Sequence, residues 1–276
     1  MTTFQFNPEE YGRQYSADGI LKNGLVMDEM EGIWLAWATD PAAVQAMLPP
    51  CMDFAAPVVL SYIVKADTKF AGKYNEAAMI IPCVYQGKPS AILQSLLLCG
   101  PGAPQALYFG REMAGMPKKI CDDIIIDLGE ETASATIVKS GVEMLKCQLK
   151  IGEYNTPAGN EMFGANVPGQ AFHQDSFLMK YNLEQYEDGH IGFENGRVLS
   201  TENDTLYEYW KPATAEVELA ECADAPWASL PVGQVLAAGV GKYSMYNFIT
   251  YKIGEFDAEE NAPYLLRARF DGKLFI

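Results

Sequence analysis

The sequence is poor in histidine and carries no classical zinc-ligand spacing. Its two histidines, His173 and His190, stand far apart, and none of its six cysteines, at 51, 83, 99, 121, 147 and 222, falls in a C-x-x-C pair. Classical zinc spacing is therefore absent and no metal is expected. The cysteines read as reduced thiols, mostly small buried apolar side chains, and no local signature supports a Cys-His nucleophile pair. Positive charge is scarce: 20 Lys+Arg stand against 36 Asp+Glu, a net charge of −16, and no basic cluster exceeds Lys118-Lys119. Such a field repels phosphate backbones and anionic lipid surfaces, which excludes nucleic acid and membrane as expected partners. The acidity is spread along the chain and reads as solvated surface. No apolar run approaches the roughly 20 residues needed to cross a bilayer, and the start MTTFQFNPEEYGRQ lacks a basic segment followed by an apolar one. A soluble, cytoplasmic protein is expected. Repeats and low-complexity linkers are missing as well, so the 276 residues are expected to form one domain, 1–276.

What is present is ample core material, 49% apolar residues against 20% charged. Ile33-Trp37, Val58-Lys65, Ala77-Tyr85, Ala91-Leu98, Ile124-Leu128, Ala133-Ser140 and Glu143-Tyr154 are short runs of branched or aromatic residues between Gly, Pro, Asn or Asp, the pattern of strands in antiparallel meanders. Ser140-Gly141 reads as a hairpin turn. Thr39-Asp40-Pro41 supplies a cap and a first-turn proline for a helix over Ala42-Leu48, which Pro49-Pro50 ends. A second, Ala-rich helix is expected over Val232-Phe248, interrupted by glycines. Cys99-Pro104 and Thr156-Gly169 read as loops, and Asp257-Glu260 as a solvated turn.

The chemistry concentrates in Tyr108-Phe109-Gly110-Arg111-Glu112-Met113-Ala114-Gly115-Met116-Pro117-Lys118-Lys119. Two adjacent ammonium groups oppose each other's protonation, and burial acts in the same direction. A lysine kept neutral in this way can attack a carbonyl carbon and form a Schiff base. On residues alone such a pair is more often a solvated surface step, Glu76 a solvated turn residue at the mouth of a strand, and Arg111-Glu112 an ion pair supporting the loop. Met113 and Met116 read as pocket-wall fillers.

The string GRE-x-x-G-x-PKK resembles the active-site segment of the acetoacetate decarboxylase family. Gly72-Lys73-Tyr74-Asn75-Glu76, the helix start at Thr39-Asp40, Phe177-Leu178-Met179-Lys180 and Trp227-Ala228-Ser229-Leu230-Pro231-Val232 resemble other segments of the same family. The resemblance implies an α+β domain dominated by an antiparallel, barrel- or cone-like sheet with a few short helices, and a homo-oligomer. It implies Lys118 as the Schiff-base lysine, Lys119 as its electrostatic or positioning neighbour, in keeping with that family's own amine activated beside a cation, and Glu76 as the acid/base or orienting carboxylate. Substrate contact is expected from Tyr62, Met30, Met116, Arg111 and Glu112. Met30 and Tyr62 fall where the family carries an arginine and a glutamate, a departure that leaves the amine and changes its surroundings.

The implied activity is a Schiff-base-forming lyase acting on a small keto acid, with decarboxylation of acetoacetate or a close β-keto acid ranked first. An aldolase or dehydratase on another keto acid is the alternative, because the same iminium serves both, and a non-catalytic ligand-binding barrel is the third reading. No cofactor is expected, since the iminium is itself the electron sink.

Overall fold

The computed structural model describes residues 25–272. The elements, in chain order, are β1 (Leu25–Ala38), α1 (Pro41–Met47), β2 (Asp53–Phe54), β3 (Val58–Thr68), β4 (Gly72–Tyr85), β5 (Lys88–Cys99), α2 (Ala103–Ala114), β6 (Lys118–Ile120), β7 (Asp123–Leu128), β8 (Thr132–Lys139) and β9 (Val142–Ile151). They continue with α3 (Gly159–Met162), β10 (Ala171–Gln185), β11 (Ile191–Leu219), β12 (Val235–Glu255), α4 (Ala258–Asn261) and α5 (Leu266–Arg269), with 3-10 turns at Trp227–Ser229 and Ala262–Leu265.

The sheet runs β10-β5-β4-β3-β1-β12-β11 and returns to β10 through the β10–β11 pairing, so these seven strands close a barrel. Only the β5–β10 seam and the short β5–β6 pairing are parallel among the described ladders. Closure leaves no edge along that ring and encloses an interior. The 29-residue β11 is shared: its first part pairs with β10, its middle with β12 and its end with β9. From there β9-β8-β7 turns away as a meander.

Strand alternation then creates two apolar layers. Residues on one face of β1, β3, β4 and β5, among them Ile33, Ile63, Met79 and Leu97, pack with Ile124, Ala135 and Leu145 of the meander into the larger core. The other face, with Met30, Val64, Tyr74, Ala78, Leu96 and Tyr243, points into the barrel.

Asp40 caps α1 by accepting from the Ala42 N–H at 2.9 Å, and the turn at Ser140-Gly141 takes positive φ at both residues, 52° and 76°, which suits a two-residue hairpin between β8 and β9. The Ala-rich stretch expected to be helical is instead part of β12. Its glycines explain why: a Cβ on Gly239 would collide with the Trp210 ring, and one on Gly241 would lie 2.8 Å from Trp210 and Tyr207, so these glycines let aromatic rings lie flat across the neighbouring strand. Asp257-Glu260 is also more than a solvated turn. Asp257 caps α4, and Glu259 accepts the Phe193 N–H at 2.7 Å.

Candidate active site

Strand register builds the site in one rank. Trp34 lies opposite Tyr62, Tyr62 opposite Ala78, Ala78 opposite Leu96, and Leu96 beside Lys118, so one row of inward side chains crosses β1, β3, β4, β5 and β6. Ala78, the smallest of these, lies between the phenol and the amine. Glu76, two residues along β4 and on the same face, reaches both. Its Oε2 accepts from Lys118 Nζ at 2.9 Å and its Oε1 from the Tyr62 hydroxyl at 2.6 Å. Lys118 and Glu76 are 5% and 3% exposed. A buried charge pair of this kind persists only when its lone pairs and protons are matched, and here Tyr62 supplies the match. Burial, then the neighbouring Glu76 charge, push the Tyr62 phenol well above its ordinary value of 10.0, so it remains a proton donor.

Helix α2 delivers the lysine. Pro104 sits in its first turn, and it ends at Gly115, whose φ of 67° is the left-handed cap conformation. Gly110 faces the lysine stem: a Cβ there would lie 2.9 Å from Lys118 Cε and 3.1 Å from Met116 Sδ. The GRE-x-x-G-x-PKK string is thus the end of a helix whose first glycine makes room for the lysine and whose second stops the helix, so that Pro117 leads into β6.

Lys118, Glu76 and Tyr62 open into a cavity of about 370 Å³. Its walls are largely apolar, with Trp34, Leu60, Ile80, Leu93, Met116 and Met245 among them. On β10 and β11, across the barrel from Glu76, lies a polar band. The Gln174 amide donates to Asn203 Oδ1 at 3.0 Å and to Thr205 Oγ1 at 2.7 Å, and Gln174 and Asn203 both line the cavity. Among the described residues Lys118 is the only cationic side chain lining it, while Glu76 and Asp175 are both acidic. Gln174 and Asn203 escape sequence reading because they belong to long strands with no local motif and meet only through the β10–β11 register.

Lys118, Glu76, Tyr62 and Met116 are brought together at the cavity, and Met113 joins its wall. The other expected site residues are not. Lys119 lies on the opposite face of β6, with its ammonium donating to the main-chain carbonyls of Asp224, Arg267 at 2.8 Å and Phe270 at 3.3 Å, and paired with Asp271 at 3.4 Å. Successive strand residues point to opposite faces, so the two ammonium groups do not share a pocket. Burial lowers the Lys119 amine, with Asp271 opposing that shift. Met30 is fully buried in the inner apolar cluster but does not line the cavity. Arg111 and Glu112 do not line it either, and no ion pair joins them among the described residues. The Arg111 guanidinium lies 5.0 Å from the Phe270 ring centre, and the Glu112 carbonyl accepts from Lys180. Both residues face away because α2 turns its Gly110 side to the lysine.

A buried amine bonded to a carboxylate, in an apolar chamber closed by a barrel, defines a protein equipped for amine-carbonyl chemistry. The comparison with known proteins names the group. The family model described as acetoacetate decarboxylase matches residues 14–252, and the chain belongs to that family, whose members are enzymes. The CLA biosynthesis isomerase of Lactiplantibacillus plantarum is 33% identical over 267 residues, covering 94% of this chain and 95% of that one. An acetoacetate decarboxylase of Ralstonia nicotianae is 26% identical over 210 residues, 74% and 78% of the two chains. The solved acetoacetate decarboxylase of Legionella pneumophila superposes with a TM-score of 0.71 at 18% identity, over 93% of this chain and 99% of that one. The enduracididine biosynthesis enzyme MppR, solved in complex with pyruvate, superposes with a TM-score of 0.61 at 12% identity, over 87% and 94%. The fold is therefore shared by proteins named for different reactions.

Proposed function

We propose that the chain is a Schiff-base isomerase that moves a carbon-carbon double bond in an unsaturated ketone with an apolar body. Lys118 transfers a proton to Glu76 and adds through Nζ to the carbonyl carbon. Glu76 returns that proton to the departing hydroxyl, which leaves as water, and an iminium remains. Glu76 then removes a proton from the carbon next to the iminium carbon, giving a neutral dienamine when a double bond lies one carbon further on. The same carboxyl delivers the proton to the far end of that dienamine, and water hydrolyses the shifted iminium to release product and free amine. Tyr62 holds Oε1 of Glu76, which leaves Oε2 for the proton traffic.

The observation that carries this reading is the charge of the chamber. A β-keto acid brings a carboxylate beside Glu76, and among the described lining residues no cation other than Lys118, already paired with Glu76, receives it; Lys88, 2.7 Å from Asp175, is likewise committed to that carboxylate. A proton shuttle on an uncharged carbonyl compound needs none. The isomerase name of the Lactiplantibacillus plantarum relative supports the same choice. Decarboxylation of a small β-keto acid is the second reading, supported by the name of the Ralstonia nicotianae relative and by the iminium that both reactions share.

The deciding assay follows ultraviolet absorbance from a medium-chain β,γ-unsaturated ketone and carbon dioxide from acetoacetate in parallel. Growth of conjugated-enone absorbance that Lys118→Met abolishes is the expected result. Carbon dioxide release without isomerisation overturns the proposal in favour of the decarboxylase, and neither activity favours a ligand-binding barrel.

A further inference from the structure

Strand β6, which carries Lys118, is only three residues long and among the described ladders pairs with β5 alone. Something else must hold it. The segment 258–272 crosses behind it, with α5 packed against both β5 and β6. Arg269 Nη2 donates to the Gly115 carbonyl at 2.6 Å, and the guanidinium lies 4.4 Å from the Tyr181 ring centre. Lys180 caps the adjacent helix end by donating to the carbonyls of Glu112 and of Met113, the latter at 3.4 Å. On the far side of Lys118, Lys119 bonds the carbonyls of Arg267 and Phe270, and Asp271 pairs with Lys139 at 2.8 Å. The link from Gly115 to Lys119 is therefore pinned at both ends by one C-terminal strap. Gly115 is fitted to it: a Cβ there would lie 2.9 Å from Arg269 Nη2 and 2.6 Å from Lys180 Cβ.

We propose that this strap sets the approach of Lys118 to the cavity, with Arg269 as a positioning residue acting through the Gly115 carbonyl. The inference rests on Lys118 being the imine-forming amine. Among the described residues Arg269 bonds to Gly115 and Tyr181, neither of which lines the cavity, so its effect passes through the Gly115–Lys118 backbone. A shift of about 1 Å in the amine is enough to slow attack by about a hundredfold. The planar fork of an arginine fixes both the carbonyl and the Tyr181 ring, a dual contact that lysine reproduces in charge only.

The test uses 2,4-pentanedione, which forms a conjugated enaminone with a neutral amine, with the full chain and its Arg269→Gln and Arg269→Lys variants. The adduct rate is read across pH, alongside thermal unfolding. Arg269→Gln is expected to slow adduct formation at least tenfold and displace its pH-rate midpoint, while pentanedione still saturates at its wild-type concentration. Arg269→Lys recovers part of the rate. An unchanged rate and pH midpoint in Arg269→Gln overturns the positioning role, as does a loss that tracks unfolding and vanishes at a lower temperature. No adduct in the wild type, or an adduct that survives in Lys118→Met, instead removes the Schiff-base reading itself. If the glutamine variant fails to fold, Arg269→Lys, which keeps the charge and loses the planar fork, carries the test through the same rate and pH readouts. No slowing in that variant, with fold retained, then overturns the proposal.

Discussion

Lys118 and Lys119 share a peptide bond and serve two different regions. Lys118 stands in the rank Trp34-Tyr62-Ala78-Leu96, facing a cavity with a carboxylate partner that can give or take a proton. Lys119 stands in the rank Ile33-Ile63-Ala77-Leu97, facing the packed layer, and its ammonium is surrounded chiefly by main-chain carbonyls that cannot relieve it of a proton. On the proposed reading the same side chain is reactive in one place and structural in the other, and the alternation of a three-residue strand decides which. Proximity in sequence is therefore no evidence that one ammonium tunes the other.

The largest expected effect separates the two regions outright. Lys118→Met should abolish turnover, a fall on the order of 10⁴ or more, as loss of a covalent nucleophile does. It also leaves Glu76 buried without its cation, which costs about 3 kcal/mol of stability, and adding Glu76→Gln should restore most of that loss. Urea unfolding of the single and double variants checks it. Glu76→Gln alone should slow imine formation and lower turnover by roughly 10² to 10⁴, the share of a positioned acid/base, while an adduct confined to Lys118 still accumulates on prolonged trapping. Normal turnover in the Glu76→Gln protein would break the assignment of the proton shuttle.

Lys119→Met should invert the pattern. Stability falls by about 3 kcal/mol because buried carbonyls lose a charged donor, whereas turnover falls by about tenfold at most. Tyr62→Phe leaves one oxygen of the buried Glu76 carboxylate without its donor, so turnover should fall by about tenfold and stability by about 1–3 kcal/mol, less than for Lys118→Met. Because the Tyr62 phenol lies well above 10.0, the wild-type rate should show no loss of that donor up to pH 10.

The smallest effect concerns the strap. Hydrogen bonds from Ser140 and from the Gly272 N–H lower the Asp224 carboxyl below its ordinary 3.8. A depressed acid stabilises the fold above its unfolded value and ceases to do so as pH falls through the folded one. Thermal unfolding between pH 5 and pH 3 should therefore lose a small increment that Asp224→Asn lacks at every pH.

The part of the fold legible in the sequence was the part built from local rules. The capped helix at Pro41, the strands of the first half and the Ser140-Gly141 turn follow from cap chemistry, period-two patterning and positive φ. That Lys118 and Glu76 meet at one cavity agrees with the motif resemblance. Illegible were β10 and β11, whose mixed polar pattern reflects one face turned to a partly polar cavity, and β12, whose glycines serve Trp210 and Tyr207 on the neighbouring strand. The role of Lys119 could not be read either, since its partners lie in residues 224 and 267–271 and only tertiary structure brings them behind β6.

Borohydride trapping with a β,γ-unsaturated ketone, followed by peptide mass spectrometry of wild type, Lys118→Met and Lys119→Met, tests the central division most directly. The account predicts a reduced adduct on Lys118 in the wild type and in Lys119→Met, and none in Lys118→Met. An adduct on Lys119, or trapping that persists without Lys118, would contradict it.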